Sequence, residues 1–373
     1  MSLEIRPALG KRDLKRFAEF PWRIYHDDPS WVPPLKSDVI NLLTPGRHPF
    51  HEHAEVQPFL AWRDGTVVGR VVATINHAHN EFHEDEVGFF GFHDALREDE
   101  EAAAELFNTA FAWLKERGRS HAMGPFELST NEMCGLLVEG EPGPPVVMMP
   151  YNPTWYARRY EAAGLVKAKD LLAFIVYEND KLKRLSSLAD QLKRRNKVRV
   201  RPLDMKHFDQ EVERVLSLYN VCWERNWGFV PMTAAEVRHF AKEVRYAIDA
   251  NLTLILERED SHEPVGFILA LPDLNRALRH ANGSLFPFGL LKILWHKRYI
   301  DGVRVVTLGL VPEMRGKGLD GVLIQQVVET GLKKGYHWAE CSWVLEDNMP
   351  MITPLQKFEA KPYRRYRIYQ KAL

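Results

Sequence analysis

Apolar and polar positions follow a strand pattern along Leu3–Pro7, Val56–Arg63, Thr66–Ile75 and Val87–Phe92. Asp64-Gly65 splits the second and third of these and marks a tight antiparallel hairpin. A helical period takes over in Glu100–Arg117, where Ala103, Leu106, Phe107, Ala110, Phe111 and Leu114 share one face. Arg12–Phe20 and Pro153–Ala163 read as further helices, the second stopped by Gly164, and Met123–Glu127 and Leu172–Tyr177 as strands. Between Trp22 and Pro49 the chain is rich in Pro, Asp, Trp and His, which predicts an ordered but irregular surface with short helices.

The same order returns in the second half. Val198–Pro202 (VRVRP) echoes Leu3–Pro7 (LEIRP). Helices follow over His207–Trp223 and Ala234–Ala247, then a hairpin of Leu252–Arg258 and Pro264–Ala270, then a strand at Val303–Val311. A helix, a strand at Trp338–Leu345, a helix opened by Glu346-Asp-Asn348 and a strand over Lys361–Lys371 complete the set. The echo predicts a repeated fold in two domains, 1–177 and 198–373, joined by a charged, solvated connector helix over 178–197.

Residues 274–300 interrupt the second domain. Phe286, Phe288, Leu290, Leu291, Ile293, Leu294 and Trp295 are apolar there, with Lys292, Lys297 and Arg298 beside and after them. The segment is too short to span a bilayer. Its composition suits an interfacial helix or a lid over an oily ligand, and a core helix joining the domains is the alternative. The first reading implies a lipid-like substrate and a transient membrane-surface contact through 285–298.

Composition narrows the class. Lys plus Arg and Asp plus Glu stand at 50 each, so no global field marks a nucleic-acid binder. Cys134, Cys222 and Cys341 are widely spaced and form neither a disulfide framework nor a Cys-x-x-Cys metal pair. No apolar signal region opens the chain, and no run reaches the ~18 apolar residues of a membrane span, so a cytoplasmic protein is expected. Oligomeric state leaves no trace in the pattern.

Three clusters are candidates for chemistry. His77, His79 and His83 have spacing that a metal could use, beside Glu81, Glu84 and Asp85, but no second motif completes a site. A polar hairpin tip is the alternative, and no metal is expected. The loops Leu128–Gly135, with Asn131 and Glu132, and Met149–Pro153 mix small polar and apolar groups, which suits either a pocket wall or plain turn chemistry. The third cluster is Val303–Tyr336, where a β-branched run meets Arg315-Gly316-Lys317-Gly318 and then a helix carrying Leu319, Val322, Leu323, Val327 and Leu332 on one face. A glycine loop at a helix N-terminus lets backbone N–H groups approach a phosphate, and the helix dipole and two cations favour an anion there.

The order Leu-Val-Pro-x-x-Arg-Gly-x-Gly closely resembles motif A of the GNAT superfamily of N-acetyltransferases, whose signature is Gln/Arg-x-x-Gly-x-Gly/Ala after the fourth strand. Arg315 and Gly318 match it, and the last small residue is Asp320. Glu346-Asp-Asn348 resembles the start of motif B, and Trp155-Tyr156 through Leu165 resembles the closing helix and turn of a first GNAT-like unit. The resemblance implies an α+β (mixed α/β) fold of two GNAT-like domains, each a mainly antiparallel twisted sheet flanked by helices. The first has no phosphate loop, because acidic Asp94–Glu101 stands where one belongs.

The implied activity is acyl-CoA-dependent N-acyltransfer, with acetyl-CoA or a longer acyl-CoA as co-substrate and a small-molecule or lipid-like amine as acceptor. In the CoA site the resemblance places Leu308, Leu310, Arg315, Gly316, Lys317, Gly318, Leu319, Asp320, Gly321 and Asn348. On the acceptor side it places Trp223, Trp227 and Phe229. Glu340, Glu346 and Glu224 are the candidate bases. The usual tyrosine acid is replaced by Leu355, and Tyr363 is a substitute from the final strand. The alternatives are a GNAT-like protein that binds CoA or an acyl ligand without turnover, and an aminoacyl-tRNA-dependent transferase.

Overall fold

The computed structural model describes residues 2–141, 143–183 and 185–373. Its principal elements run, in chain order, β1 (Leu3–Pro7), α1 (Gly10–Glu19), β2 (Ala54–Arg63), β3 (Thr66–Asn76), α2 (His77–His83), β4 (Val87–Ala95), α3 (Glu100–Glu116), β5 (His121–Gly124), β6 (Leu136–Gly140), α4 (Tyr156–Ala162) and β7 (Val166–Tyr177). The second half adds α5 (Leu185–Asn196), β8 (Val198–Pro202), α6 (Phe208–Trp223), α7 (Ala234–Val244), β9 (Thr253–Arg258) and β10 (Pro264–Pro272). It ends with α8 (Gly289–His296), β11 (Gly302–Leu310), α9 (Leu319–Lys333), β12 (Trp338–Leu345), α10 (Met349–Lys357) and β13 (Lys361–Ala372).

These elements form two compact units, and the division differs from the one expected. One unit holds Met1–Leu171, Asn275–Lys297 and Arg364–Leu373, and the other Leu172–Leu274 and Arg298–Tyr363. Asn275–Lys297 of the 274–300 insertion therefore pack with the first unit in space, although they interrupt the second in sequence. The reason is a set of hydrogen bonds: Asn275 Nδ2 donates to Val146 O at 2.9 Å, Trp22 Nε1 to Asn282 Oδ1 at 2.8 Å, and Arg279 to Pro29 O at 2.7 Å.

In the first unit the strands lie in the order β1-β2-β3-β4-β5-β13, with β6 also on β13. All pairs are antiparallel except β4 and β5, which run parallel over Val87–Phe89 and His121–Met123. Phe107, Phe111 and Leu114 of α3 pack on Phe90 and Val71, as the helical period requires. The ladder ends at Phe89 and Met123, but the chain beyond β5 stays against β4 and leaves no cleft there. Phe126 N–H donates to Phe90 O at 2.9 Å. Gly91 is glycine for this reason, since a Cβ there would lie 1.7 Å from Phe126 O.

The end of β4 is closed as well. Arg159 of α4 donates to Ala95 O, Leu96 O and Arg97 O at 3.1, 2.8 and 3.0 Å and pairs with Glu100 at the start of α3. The histidine segment is not a hairpin tip but the helix α2, capped by Asn76. The rings of His79 and His83, one turn apart, lie 4.3 Å from each other, and His79 Nε2 faces Asp85 at 3.3 Å. Among the described residues no three His, Cys, Asp or Glu side chains converge on a metal position.

In the second unit the order is β12-β11-β10-β9-β8, with the later half of β7 beside β12. Again one pair is parallel, β11 with β12, and β8-β9-β10-β11 are antiparallel. α9 lays Leu319, Val322, Leu323 and Val327 on Leu254, Ile268 and Leu310 of the sheet. The expected solvated connector is instead part of this core, since Ala189 and Leu192 of α5 pack into the same cluster. Arg184, inside that connector, lies outside the described residues.

Candidate functional site

The ladder between β11 and β12 stops early. It pairs Gly302–Val305 with Trp338–Cys341 and no further, although β11 runs on to Leu310 and β12 to Leu345. On its other edge β11 stays bonded to β10 as far as Leu310, paired with Gly266. The strands thus diverge where β11 is already held in place. Their separation opens a cleft of about 620 Å³, inside the ~300–1,000 Å³ typical of ligand sites.

Seven of the expected residues meet in its wall: Trp223, Leu308, Leu310, Arg315, Gly316, Asp320 and Asn348. Past Pro312–Met314 the chain turns through Gly316 and Gly318 at φ of 71° and 74°, conformations that favour glycine. Gly318 is the N-cap of α9 and no side chain caps it, so the first-turn N–H groups of that helix have no side-chain acceptor. Arg315 takes a structural part in this loop. It donates from Nε to Leu310 O at 3.1 Å and from Nη2 to Cys222 O, the last turn of α6, at 2.9 Å. Lys317 and Gly318 continue the loop, with Lys317 Nζ 3.8 Å from Met314 Sδ, while Leu319 is fully buried and Gly321 lies in the first turn of α9.

The other expected residues do not line this wall. Glu224 is exposed just past α6, and Glu346 lies in the turn after β12. Trp227 and Phe229 sit in the turn beyond α6, Phe229 buried with its ring 5.7 Å from Tyr219. Asn131 and Glu132 belong to the first unit, in an ST-type turn where Asn131 N–H donates to Ser129 Oγ at 3.1 Å. Glu340 is fully buried on β12 behind the wall. Its carboxylate accepts from Ser342 Oγ at 2.5 Å and from the Tyr363 hydroxyl.

Ser342, Thr307, Trp343 and Cys341 were not expected, yet all line the cleft. Thr307 Oγ1 and Trp343 Nε1 are buried without a hydrogen-bond partner, which is the state of groups that face a ligand position. Burial pushes the Cys341 thiol up to about 12, helped by the Glu340 charge. It pushes Cys222 up to about 11 against the opposing effect of Arg315. Both stay thiols at neutral pH, so they furnish apolar wall rather than a nucleophile. Part of the wall is aliphatic and aromatic, with Val176, Val328, Val344, Leu355 and Phe358 in one cluster. The signal for Ser342 was present in the strand alternation of Trp338–Leu345, which puts it on the same face as Glu340.

A parallel pair that splays beside an uncapped, glycine-led helix N-terminus is the geometry the sequence resemblance implies. No protein-family model matches the chain. A bacterial ceramide synthase of Caulobacter vibrioides is 37% identical over 381 residues, covering 100% of this chain and 98% of that protein. Protein YghO of Escherichia coli is 36% identical over 378 residues, covering 99% and 95%. A tandem GNAT protein from the clavulanic acid biosynthesis pathway shares the fold with a TM-score of 0.57 at 12% identity, over 100% of this chain and 98% of its own. The chain belongs to the family of these two relatives, and its fold is that of a tandem GNAT protein.

In this tandem GNAT fold the two parallel pairs have different fates. β4 and β5 are sealed by Phe126 and Arg159, whereas β11 and β12 stay open. The residues of the open pair fit a thioester with a phosphorylated tail: bare N–H groups at the helix start, orphaned Thr307 and Trp343, and a long apolar wall.

Proposed function

We propose that the chain is an acyl-CoA-dependent N-acyltransferase that joins a long acyl chain to the amino group of a lipid-like amine. The observation that carries the reading is the apolar lining of the open cleft, where Leu355 clusters with Val344 and Val328. An acetyl group needs no such wall. A ceramide is the amide of a fatty acid with a long-chain amino alcohol, so the name of the Caulobacter relative supports the same substrate class.

The thioester supplies an acyl carbon open to direct attack. The protein's part is to hold the amine, remove its proton and receive the charge on the carbonyl oxygen. Ser342 Oγ is the group of the wall that touches Glu340, so a proton released in the cleft reaches the carboxylate through Ser342. Main-chain N–H groups of 306–310 on the edge freed by the splay are the donors available to the oxyanion. Leu355 donates no proton to the departing thiolate. A thiol of pKa ~8.5 leaves readily without one.

Thiol release tests this directly, with acetyl-CoA and palmitoyl-CoA each offered to short amines and to long-chain amino alcohols. Palmitoyl-CoA with the long-chain acceptor is expected to be the productive pair. Silence with every pair, together with calorimetric binding of CoA, leaves the protein as an acyl-ligand binder, a reading that Asp320 in the cleft wall and Leu355 favour.

A further inference from the structure

An ordinary amphipathic helix buries its apolar stripe. α8 does the opposite. Leu290, Leu291, Leu294 and Trp295 are 52%, 62%, 60% and 59% exposed, and Phe286 and Phe288 just before them are 85% and 65% exposed. The more covered positions are Gly289, Ile293 and His296, the last stacked on His280 with ring centroids 3.6 Å apart. The segment is not a loose flap, for the bonds to Val146, Pro29 and Trp22 fix its base within the first unit.

The charge within this segment has one sign. Residues 275–297 contain Arg276, Arg279, Lys292 and Lys297, all exposed, and neither Asp nor Glu. An exposed apolar patch of this extent marks an interaction surface. A second copy of the chain would satisfy the apolar part but would bring the same cations face to face. Anionic headgroups over a hydrocarbon layer satisfy both parts at once.

We propose that this face docks the protein on the anionic surface of a lipid bilayer, with Phe286, Phe288, Leu291 and Trp295 entering the boundary between headgroups and acyl chains. α8, at 8 residues, is far too short to cross, and no helix among the described residues is long and apolar enough to do so. The helix therefore lies in the interface plane. Docking brings the protein to the phase where lipid-like amines and acyl chains reside, but it does not rest on the acyl-transfer reading.

Co-sedimentation of the full chain with vesicles tests it, with neither CoA nor amine present. Phosphatidylcholine vesicles are compared with vesicles of phosphatidylcholine and phosphatidylglycerol. Partition onto the anionic vesicles is expected to be about tenfold higher and to fall with added salt. Leu291→Ser with Leu294→Ser should lower that partition about tenfold. Lys292→Glu with Lys297→Glu should remove the preference for phosphatidylglycerol. These side chains are exposed, so melting temperature and circular dichroism should match the parent protein. Wild-type protein that stays in the supernatant with both vesicles overturns the proposal, as does a leucine-pair variant that sediments like the parent. Light scattering on the same samples adds a further overturning result: a dimer that only the leucine pair dissociates, without vesicle binding, assigns the face to a second copy.

Discussion

Tyr363 donates its phenolic hydrogen to Oε2 of Glu340, a carboxylate with no exposure, while Ser342 donates to Oε1 at 2.5 Å. Arg304, itself buried, stands opposite Glu340 in the parallel register and donates from Nε to Ser342 Oγ at 3.1 Å. A buried carboxylate is costly unless donors surround it, so this cluster holds Glu340 in one position. Ser342 is also part of the cleft wall.

Glu340→Gln is expected to lower kcat about 100-fold, the usual scale for a lost general base, with the KM for acyl-CoA unchanged. Tyr363→Phe should lower kcat less and destabilise the fold by about 1–3 kcal/mol, because it leaves one carboxylate oxygen short of a donor. Steady-state kinetics and denaturant titration separate the two effects. Wild-type kcat in both variants would reduce Glu340 to a structural role.

Gly318 and Asp320 should move CoA affinity in opposite directions. Gly318→Asp puts a side chain on a backbone at φ 74°, with its Cβ 3.2 Å from Leu192, and adds a negative charge at the helix start. Binding of CoA is expected to weaken at least about tenfold by calorimetry. Asp320→Asn removes a like charge from the cleft wall and should tighten CoA about fivefold. It should also lose about 0.3–1 kcal/mol of stability, since an acid in the first turn of α9 complements the helix dipole.

Acyl length should be set by the apolar wall. Val328→Trp fills space between α9 and β12 without touching the glycine loop. The ratio of kcat/KM for palmitoyl-CoA to that for acetyl-CoA is expected to fall at least about tenfold. An unchanged ratio would mean that the chain lies elsewhere.

His93 makes the first unit acid-sensitive. Burial holds its imidazole down at about 4, against the opposing pull of the Ala103 carbonyl and Asp94. The ring is stacked on Phe107 with centroids 3.7 Å apart and stays neutral in the fold. Between about pH 6.5 and 4 the unfolded chain binds a proton that the folded one refuses, so stability falls as pH drops through that window. The loss reaches about 3 kcal/mol at the acid end. His93→Gln should flatten the dependence of unfolding free energy on pH between 7 and 4.5, and a slope like the parent's would place the titration elsewhere.

Gly91→Ala should cost about 3 kcal/mol or more, because the new Cβ meets a backbone carbonyl rather than a flexible side chain. Thermal unfolding of the full chain checks this. An equally mild loss at Gly91 and at Gly321, where a Cβ meets nothing, would contradict the close approach of Phe126.

Much of this molecule was legible from periodicity. The hairpins, the long helices α3 and α9 and the final strand lie within a few residues of their expected bounds, because alternation and the helical period each bury one face. The strand β6, Leu136–Gly140, was missed among small and polar neighbours, since its pairing with β13 comes from far along the chain. Short apolar runs of this kind carry no period of their own. The histidine segment is a helix rather than the expected hairpin tip because Asn76 caps it, a side-chain bond that alternation does not register.

The sequence by itself determined that the chain repeats one α+β order and that a glycine-led helix start lies at Arg315–Gly318, because those features are local: a period, a loop composition, a motif. Only the tertiary structure decided which parallel pair is open. Phe126 and Arg159 seal the first through contacts with residues far away in sequence, and the ladder between β11 and β12 ends at Val305 and Cys341. It also decided that Glu340 answers to Ser342 and Tyr363, and that the stripe of α8 faces outward. Which face of an element is covered depends on what packs against it, and that is settled only when distant segments meet.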